Sequence, residues 1–342
     1  MVAARGSRQL TRQPIDDEDR LARAGRSSRP RSRLRPRHDD ATAARVVSVD
    51  RGRFGCLVDA PDLDDPVLVI AMRARELGRR AIAVGDEVDV VGDLSGGPDA
   101  LARIVRITPR RSVLRRSADD TDPVERVLVA NAEQLLVVAA AADPEPQPRL
   151  IDRCLVAAYD AEITPMLCIT KTDLASADAV AANYAELNLP VIRSGRPGFE
   201  TAVEQVRSAL HDRVTVLVGS SGVGKSTLVN ALVPDAAQRI GAVSATTGKG
   251  QHTTTAAIAL PLPGGGWVID TPGIRSFGLA HVDRDRLIAC FPDLAAGTAN
   301  CPSDCDHVDT EACELDAYVA AGHASAERLD SLRRLLVTRD AL

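Results

Sequence analysis

The segment Gly219-Ser220-Ser221-Gly222-Val223-Gly224-Lys225-Ser226-Thr227 has the spacing G-x-x-x-x-G-K-S. Its glycines let backbone N–H groups close around a β-phosphate at a helix N-terminus. Lys225 then reaches the β- and γ-phosphates, and the Ser226 hydroxyl is a magnesium ligand. The apolar run Val214–Val218 precedes the loop and Leu228-Val229-Asn230-Ala231-Leu232 follows it, which is the strand–loop–helix setting the motif requires. These residues predict a bound nucleoside triphosphate.

Trp267-Val268-Ile269-Asp270-Thr271-Pro272-Gly273 lies downstream. An Asp ending an apolar strand holds magnesium, usually through water, and the Gly273 N–H contacts a γ-phosphate. Between the two motifs, Gly250-Gln251-His252-Thr253-Thr254-Thr255 supplies hydroxyls, with Thr254 the candidate second protein ligand to magnesium. A threonine run alone also describes the start of a strand, so this assignment leans on its neighbours.

The base is decided elsewhere. Ile169-Thr170-Lys171-Thr172-Asp173 ends an apolar run and is similar to N-K-x-D. A carboxylate there accepts from the N1 and N2 hydrogens of guanine, whereas adenine leaves it unpaired. Thr170 stands where Asn is usual, so the amide that braces the loop and touches the base is missing. The expected loss is about 1 kcal/mol, one hydrogen bond's worth, not a change of base. Ser194-Gly195, after the next strand, is the last candidate base-contacting loop.

A fourth cluster is Cys301-x3-Cys305-x-His307-x5-Cys313. Three thiols and one imidazole are a known tetrahedral zinc set, and four protein ligands leave no open position, so such a site is structural. Unmetallated buried thiols are the alternative. Cys56, Cys154, Cys168 and Cys290 sit in apolar contexts and read as core residues.

These groups need elements to hold them. Arg45–Val49, Gly55–Val58, Val67–Ile70, Asp86–Val91 and Leu101–Val105 are short β-like runs punctuated by Gly, Pro and Asp. They fit a small barrel, with the OB-fold as first candidate and an SH3-type barrel leaving the same trace. Strands at Gln134–Ala140, Pro165–Ile169, Val191–Arg193 and Val214–Val218 alternate with helices at Arg149–Tyr159, Ala177–Leu187 and Glu200–Leu210. That alternation predicts a parallel sheet with helices on both faces. Strands at Ala256–Leu260 and Trp267–Ile269 follow, then helices at Leu315–Ala321 and Ala326–Val337 beside the cysteines. The expected organisation is multidomain: a basic disordered arm over 1–40, an OB-like β-barrel over 41–108 and a linker over 109–122. A circularly permuted α/β P-loop domain over 123–280 and a zinc-binding helical module over 281–342 complete it.

The permutation is in the order of the motifs. An ordinary small GTPase has its phosphate loop first and its guanine motif near the end. Here the guanine motif (170–173) precedes the phosphate loop (219–227), and D-x-x-G (270–273) comes last. The chain resembles the circularly permuted ribosome-small-subunit-dependent GTPases over about Ala43 to Val337, through this order, the Gly250–Thr255 run and the cysteine cluster. The resemblance implies magnesium-dependent GTP hydrolysis stimulated by the small (30S) subunit late in its assembly, one structural zinc ion, and contact with 16S rRNA. The family usually places four residues between the first two cysteines, where this chain has three. Ras-like proteins orient water with a Gln after D-x-x-G; here that position is Ile274, which has no polar group. His252 is the nearby polar candidate for that catalytic role, as the resemblance also suggests, with a purely structural role as the alternative.

Composition narrows the classes. Of 342 residues, 45% are apolar and 26% charged, enough to build cores and to exclude disorder throughout. The longest apolar run, Leu135–Ala142, is eight residues, far short of a membrane span. The N-terminus is Arg-rich with no apolar stretch behind it, so a secretory signal is not expected. A cytoplasmic monomer without membrane contact is the expectation. Residues 1–38 hold eleven Arg against four acids, while the remainder is net −12. A basic arm touching a polyanion fits this asymmetry, as does a solvated tail. Only three of 42 basic residues are Lys, and all three (Lys171, Lys225, Lys249) fall in or beside the nucleotide motifs. With 2% aromatics, base stacking is a poor model for RNA contact. Arginines of the arm, the barrel and the linker (Arg110, Arg111, Arg115, Arg116) point to phosphate and shape recognition instead. Two other readings stand beside the GTPase: a nucleotide-gated RNA-binding module with incidental hydrolysis, and a P-loop ATPase or kinase, against which Asp173 argues.

Overall fold

The computed structural model describes residues 38–59, 66–97, 99–116, 126–187, 189–234, 236, 257–272, 279, 282 and 284–340. The basic arm up to residue 37, His252, Thr254 and Gly273 lie outside these residues.

Five strands with alternating buried positions form the N-terminal unit: β1 (Thr42–Asp50), β2 (Arg53–Val58), β3 (Val67–Arg73), β4 (Glu87–Gly92) and β5 (Ala102–Ile107). They run in the order β1-β2-β3-β5-β4, and β4 pairs back onto β1 through Thr42–Val90 and Ala44–Val88, closing a barrel. Val46, Phe54, Cys56, Val69, Val88 and Ile104 fill it. A closed five-stranded barrel of this kind matches the OB-fold expectation.

Within 109–122, where composition predicts a linker, Val113–Arg116 is strand β6 and pairs with β7 (Arg126–Ala130). The sequence hides this ribbon because its strands are only four and five residues long and lie in an Arg- and Asp-rich stretch. Two linker arginines expected to meet RNA phosphates also pair within the protein. Arg110 grips the fully buried Asp86 through two bonds of 2.7 and 2.9 Å, and Arg111 reaches Glu87 at 2.9 Å. Asn131 also joins the two regions, donating to Gly85 O at 3.0 Å and accepting from Arg111 N at 2.9 Å. At Gly85 a Cβ would lie 2.1 Å from Ala130 O, so only glycine permits this approach.

The second sheet is built from β8 (Gln134–Ala140), β9 (Thr164–Thr170), β10 (Val191–Arg193), β11 (Val214–Val218), β12 (Ile258–Pro261) and β13 (Trp267–Asp270). Its order is β10-β9-β8-β11-β13-β12, parallel except for β12. In β8, Leu135, Val137 and Ala139 enter one core while Leu136, Val138 and Ala140 enter another. Both faces are therefore covered, which is why the sequence reads as an unbroken apolar run rather than an alternation. Helix α1 (Pro148–Asp160) covers the first face; α3 (Phe199–Leu210) and α4 (Lys225–Leu232) cover the second, and the short α2 (Asp178–Ala182) adds Val180 to the first. Ser48 of β1 pairs with Ile258 of β12, so barrel and GTPase-like sheet are one continuous eleven-stranded surface.

Four helices end the chain: α5 (Arg284–Ala289), α6 (Pro292–Ala295), α7 (Leu315–Ala320) and α8 (Ala326–Asp340). Leu329, Leu332, Leu335 and Leu336 of α8 share a core with Leu150, Ile151 and Leu155 of α1. Arg334 reaches the buried Asp152 of α1 at 3.3 Å, and Arg286 reaches Asp160 at 2.7 Å. The C-terminal module is thus packed as a continuation of the α/β layer.

Candidate functional site

The C-terminal ends of β8, β9, β10, β11 and β13 face one edge of the sheet, where open α/β folds place their ligands. The phosphate loop rises from β11. Gly219 passes so close to β8 that a Cβ would lie 2.4 Å from Val138 O. Gly224 caps α4 and Lys225 opens it, with Ser226 and Thr227 exposed on its first turn. The Lys225 side chain is buried, and its Nζ donates to Asp270 Oδ1 and to Thr271 O at the end of β13. Thr271 is pinned by its hydroxyl, which donates to Leu217 O of β11 at 2.7 Å. The ammonium expected at phosphate and the carboxylate expected at magnesium are therefore assembled against one another.

The guanine loop follows β9. Thr172 N donates to Ser194 O at 3.2 Å and Ser194 N to Ile169 O at 2.8 Å, which binds residues 170–173 to the loop after β10. Arg196 N donates to Asp173 Oδ1 at 3.1 Å, fixing the carboxylate beside Ser194-Gly195. Thr170 is buried, and its hydroxyl donates to Val223 O of the phosphate loop at 2.5 Å. The brace that the sequence reading counts as missing is thus present, made by a hydroxyl instead of an amide. Lys171 Nζ donates to the carbonyl of Asp143, in the loop after β8. Sequence spacing carries no signal for Asp143 or Val223 as partners, because both act through main-chain carbonyls that any residue offers.

At the other end of the chain, one ligand atom each from Cys301, Cys305, His307 and Cys313 lies within 4.8 Å of the others. Cys305 Sγ is 3.4 Å and Cys313 Sγ 3.8 Å from His307 Nδ1. Tetrahedral zinc with ordinary Zn–S and Zn–N bonds puts sulfur and nitrogen about 3.6 Å apart, so the donors fit that ion. The three-residue spacing after Cys301 is accommodated by a turn in which Cys305 N donates to Pro302 O at 3.1 Å. Burial, then the nearby Arg284 charge, hold the His307 imidazole below its ordinary pKa, favouring the neutral form a metal needs. Burial pushes the Cys313 thiol up to about 11. Asp306 organises the loop by accepting from Val308 N, Asp309 N and Thr310 N at 2.9–3.0 Å. Cys56, Cys154, Cys168 and Cys290 are buried with thiols raised to about 12, as inert core residues should be.

The family model of the RsgA GTPase matches residues 107–280. Small ribosomal subunit biogenesis GTPase RsgA of Pseudomonas aeruginosa (strain LESB58) is 38% identical over 293 residues, 83% of each chain. This chain belongs to the RsgA GTPase family. The RsgA of Gemmatimonas aurantiaca is 37% identical over 265 residues, 75% of this chain and 84% of that one. Two solved structures share the RsgA-type fold. YjeQ from Thermotoga maritima is 24% identical with a TM-score of 0.65, covering 88% of this chain and 99% of that one. YloQ, described as a circularly permuted GTPase, is 22% identical with a TM-score of 0.63, covering 90% and 98%.

Of the RsgA site residues expected from sequence, the structure gathers 170–173, Ser194, Gly195, 219–227 and Asp270 at one sheet edge. It gathers the three cysteines and His307 some distance along the chain. His252, Thr254 and Gly273 fall outside the described residues.

Proposed function

We propose that this RsgA-family GTPase hydrolyses GTP at the sheet edge described above, in late maturation of the small ribosomal subunit. The observation that carries the reading is the convergence of Asp173, Lys225 and Asp270 on one edge despite their permuted order in the chain. Asp173, already accepting from Arg196 N, has a second carboxylate oxygen and further lone pairs for the Watson–Crick edge of guanine. Gly219 to Thr227 would wrap the phosphates with backbone N–H groups. On nucleotide entry, Lys225 exchanges its bonds to Asp270 and Thr271 for phosphate oxygens, which leaves Asp270 free for the magnesium shell. Ser226, with Thr254 from the sequence reading, would hold magnesium directly; the ion would neutralise charge developing on the phosphates. His252 is the proposed water-orienting residue.

The cysteine–histidine cluster would hold one zinc ion and fix the loop that packs on α8. Two of the arginines assigned to RNA from sequence also form ion pairs within the protein, Arg111 while remaining exposed. Contact with 16S rRNA would draw on the exposed linker residue Arg111, on exposed barrel arginines such as Arg51, Arg53, Arg79 and Arg103, and on the arm. Among the described residues no helix is long and apolar enough to cross a membrane. We take the protein to act as a cytoplasmic monomer.

The test is GTP hydrolysis by the purified protein alone, with 30S subunits and with 50S subunits. Stimulation by 30S alone supports the proposal. Unchanged turnover with intact GTP binding rejects subunit-activated catalysis.

A further inference from the structure

Thr170 occupies the position at which the guanine motif usually carries an amide, and its hydroxyl environment is unusual in one respect. Oγ1 lies 2.5 Å from Val223 O in the phosphate loop and 3.3 Å from Ala139 O in β8. Both neighbours are carbonyl oxygens, which only accept. A hydroxyl has a single proton, so that proton is committed to the protein. The side chain is buried and sits directly beneath the loop, since a Cβ built on Gly224 would be 3.8 Å from Oγ1.

An amide at this position has two N–H donors. One can brace the phosphate loop while the other is offered to the base, whose N7 is an acceptor. A threonine that braces the loop has nothing left to donate. Turning its proton toward N7 would leave Val223 O without its bond in a buried setting, which costs as much as the new bond gains.

We propose that Thr170 splits the two tasks of the guanine motif: it keeps the mechanical link between base loop and phosphate loop and gives up recognition of purine N7. Guanine is then selected through Asp173 and the Ser194–Gly195 loop alone. The proposal rests on the GTP-binding reading above. Its consequence is that a nucleotide in which N7 is replaced by C–H binds as well as the natural one. Thr170 is a positioning residue by this argument, and its effect on affinity is uniform across bases.

The experiment measures Kd by calorimetry for GDP, 7-deaza-GDP and ADP, with the full-length wild type, Thr170→Asn, Thr170→Val and Thr170→Ser. For the wild type, the 7-deaza-GDP and GDP values should agree within about twofold, with ADP much weaker. Thr170→Asn should create a preference for GDP over 7-deaza-GDP of about fivefold, the worth of one neutral hydrogen bond. Thr170→Val should weaken GDP and 7-deaza-GDP by the same factor, and Thr170→Ser should restore both. A wild-type penalty of fivefold or more for 7-deaza-GDP would overturn the proposal, as would a Thr170→Val loss confined to GDP. ADP binding equal to GDP would instead sink the guanine-nucleotide reading itself, an outcome distinct from either.

Discussion

Lys225 of the phosphate loop and Asp270 at the end of β13 are 45 residues apart in sequence and form a buried ion pair, both side chains 8% exposed. Each group neutralises the other, so neither charge is left unpaired in a poorly solvated place. In the proposed reading, phosphate oxygens take the place of Asp270 beside Lys225.

Replacing Lys225 with alanine should therefore do two things. GDP affinity should fall about 10- to 100-fold, the loss of a charge-assisted bond to phosphate. The nucleotide-free protein should also lose about 3–5 kcal/mol, because Asp270 is left buried without its cation. Fluorescent-nucleotide titration and urea denaturation read the two effects separately. The additional Asp270→Asn change should recover much of the stability and none of the binding.

Arg110 should matter for folding rather than for RNA. Its guanidinium meets both oxygens of Asp86, whose side chain is fully buried. Arg110→Ala should cost about 3–5 kcal/mol in urea denaturation. Arg110→Lys restores charge without the two-pronged geometry and should recover only part of it. If RNA affinity falls while stability is unchanged, the assignment of Arg110 to the barrel junction is wrong.

Metal removal should soften the whole GTPase unit. Arg333 of α8 donates to His307 O at 3.2 Å and pairs with Asp316 at 2.6 Å, so the cysteine loop is tied to the helix that packs on α1. The purified protein should release one zinc per chain to a colorimetric chelator, and Cys305→Ser should release none. Chelation should lower the thermal midpoint even with GDP bound.

Acid should loosen the barrel junction through Glu87. Its hydrogen bond from Arg111 holds the carboxyl below its ordinary value; burial opposes this, and the charges of Arg111 and Arg45 reinforce it. A carboxylate lowered in the folded state adds stability above its unfolded pKa and loses it as pH falls through the folded value. The stability gap between wild type and Glu87→Gln should be constant above about pH 5 and close at lower pH. Because the group is partly exposed, the gap should be under about 1 kcal/mol. A gap that widens in acid would contradict the sign.

Motifs built from side chains at fixed spacing were legible in the sequence. The phosphate loop, Asp173, Asp270 and the cysteine cluster all declare themselves because phosphate, guanine and zinc each demand particular groups at particular intervals. The five barrel strands and the buried parallel strands were legible through their apolar patterns. Strands β6 and β7 were not, since four and five residues set in an Arg- and Asp-rich stretch are too few to show a pattern. The hydroxyl link made by Thr170 was not legible for a related reason: its acceptor, Val223 O, is a main-chain atom 53 residues away. The ion pairs of Arg110 and Arg111 are likewise long-range, and charge counting alone assigns such residues to solvent or to a polyanion.

The seat of α8 on α1 has a consequence for how the protein comes into being. A ribosome makes α1 well before the leucines that cover it, Leu329 to Leu336, which follow much later in the chain. At ordinary elongation rates the interval is on the order of ten seconds, during which α1 has no lid. The guanine loop is finished well before the phosphate loop, and Asp270 arrives later still. A nascent chain therefore holds no assembled nucleotide edge until Asp270 has emerged, and α8 covers α1 later still.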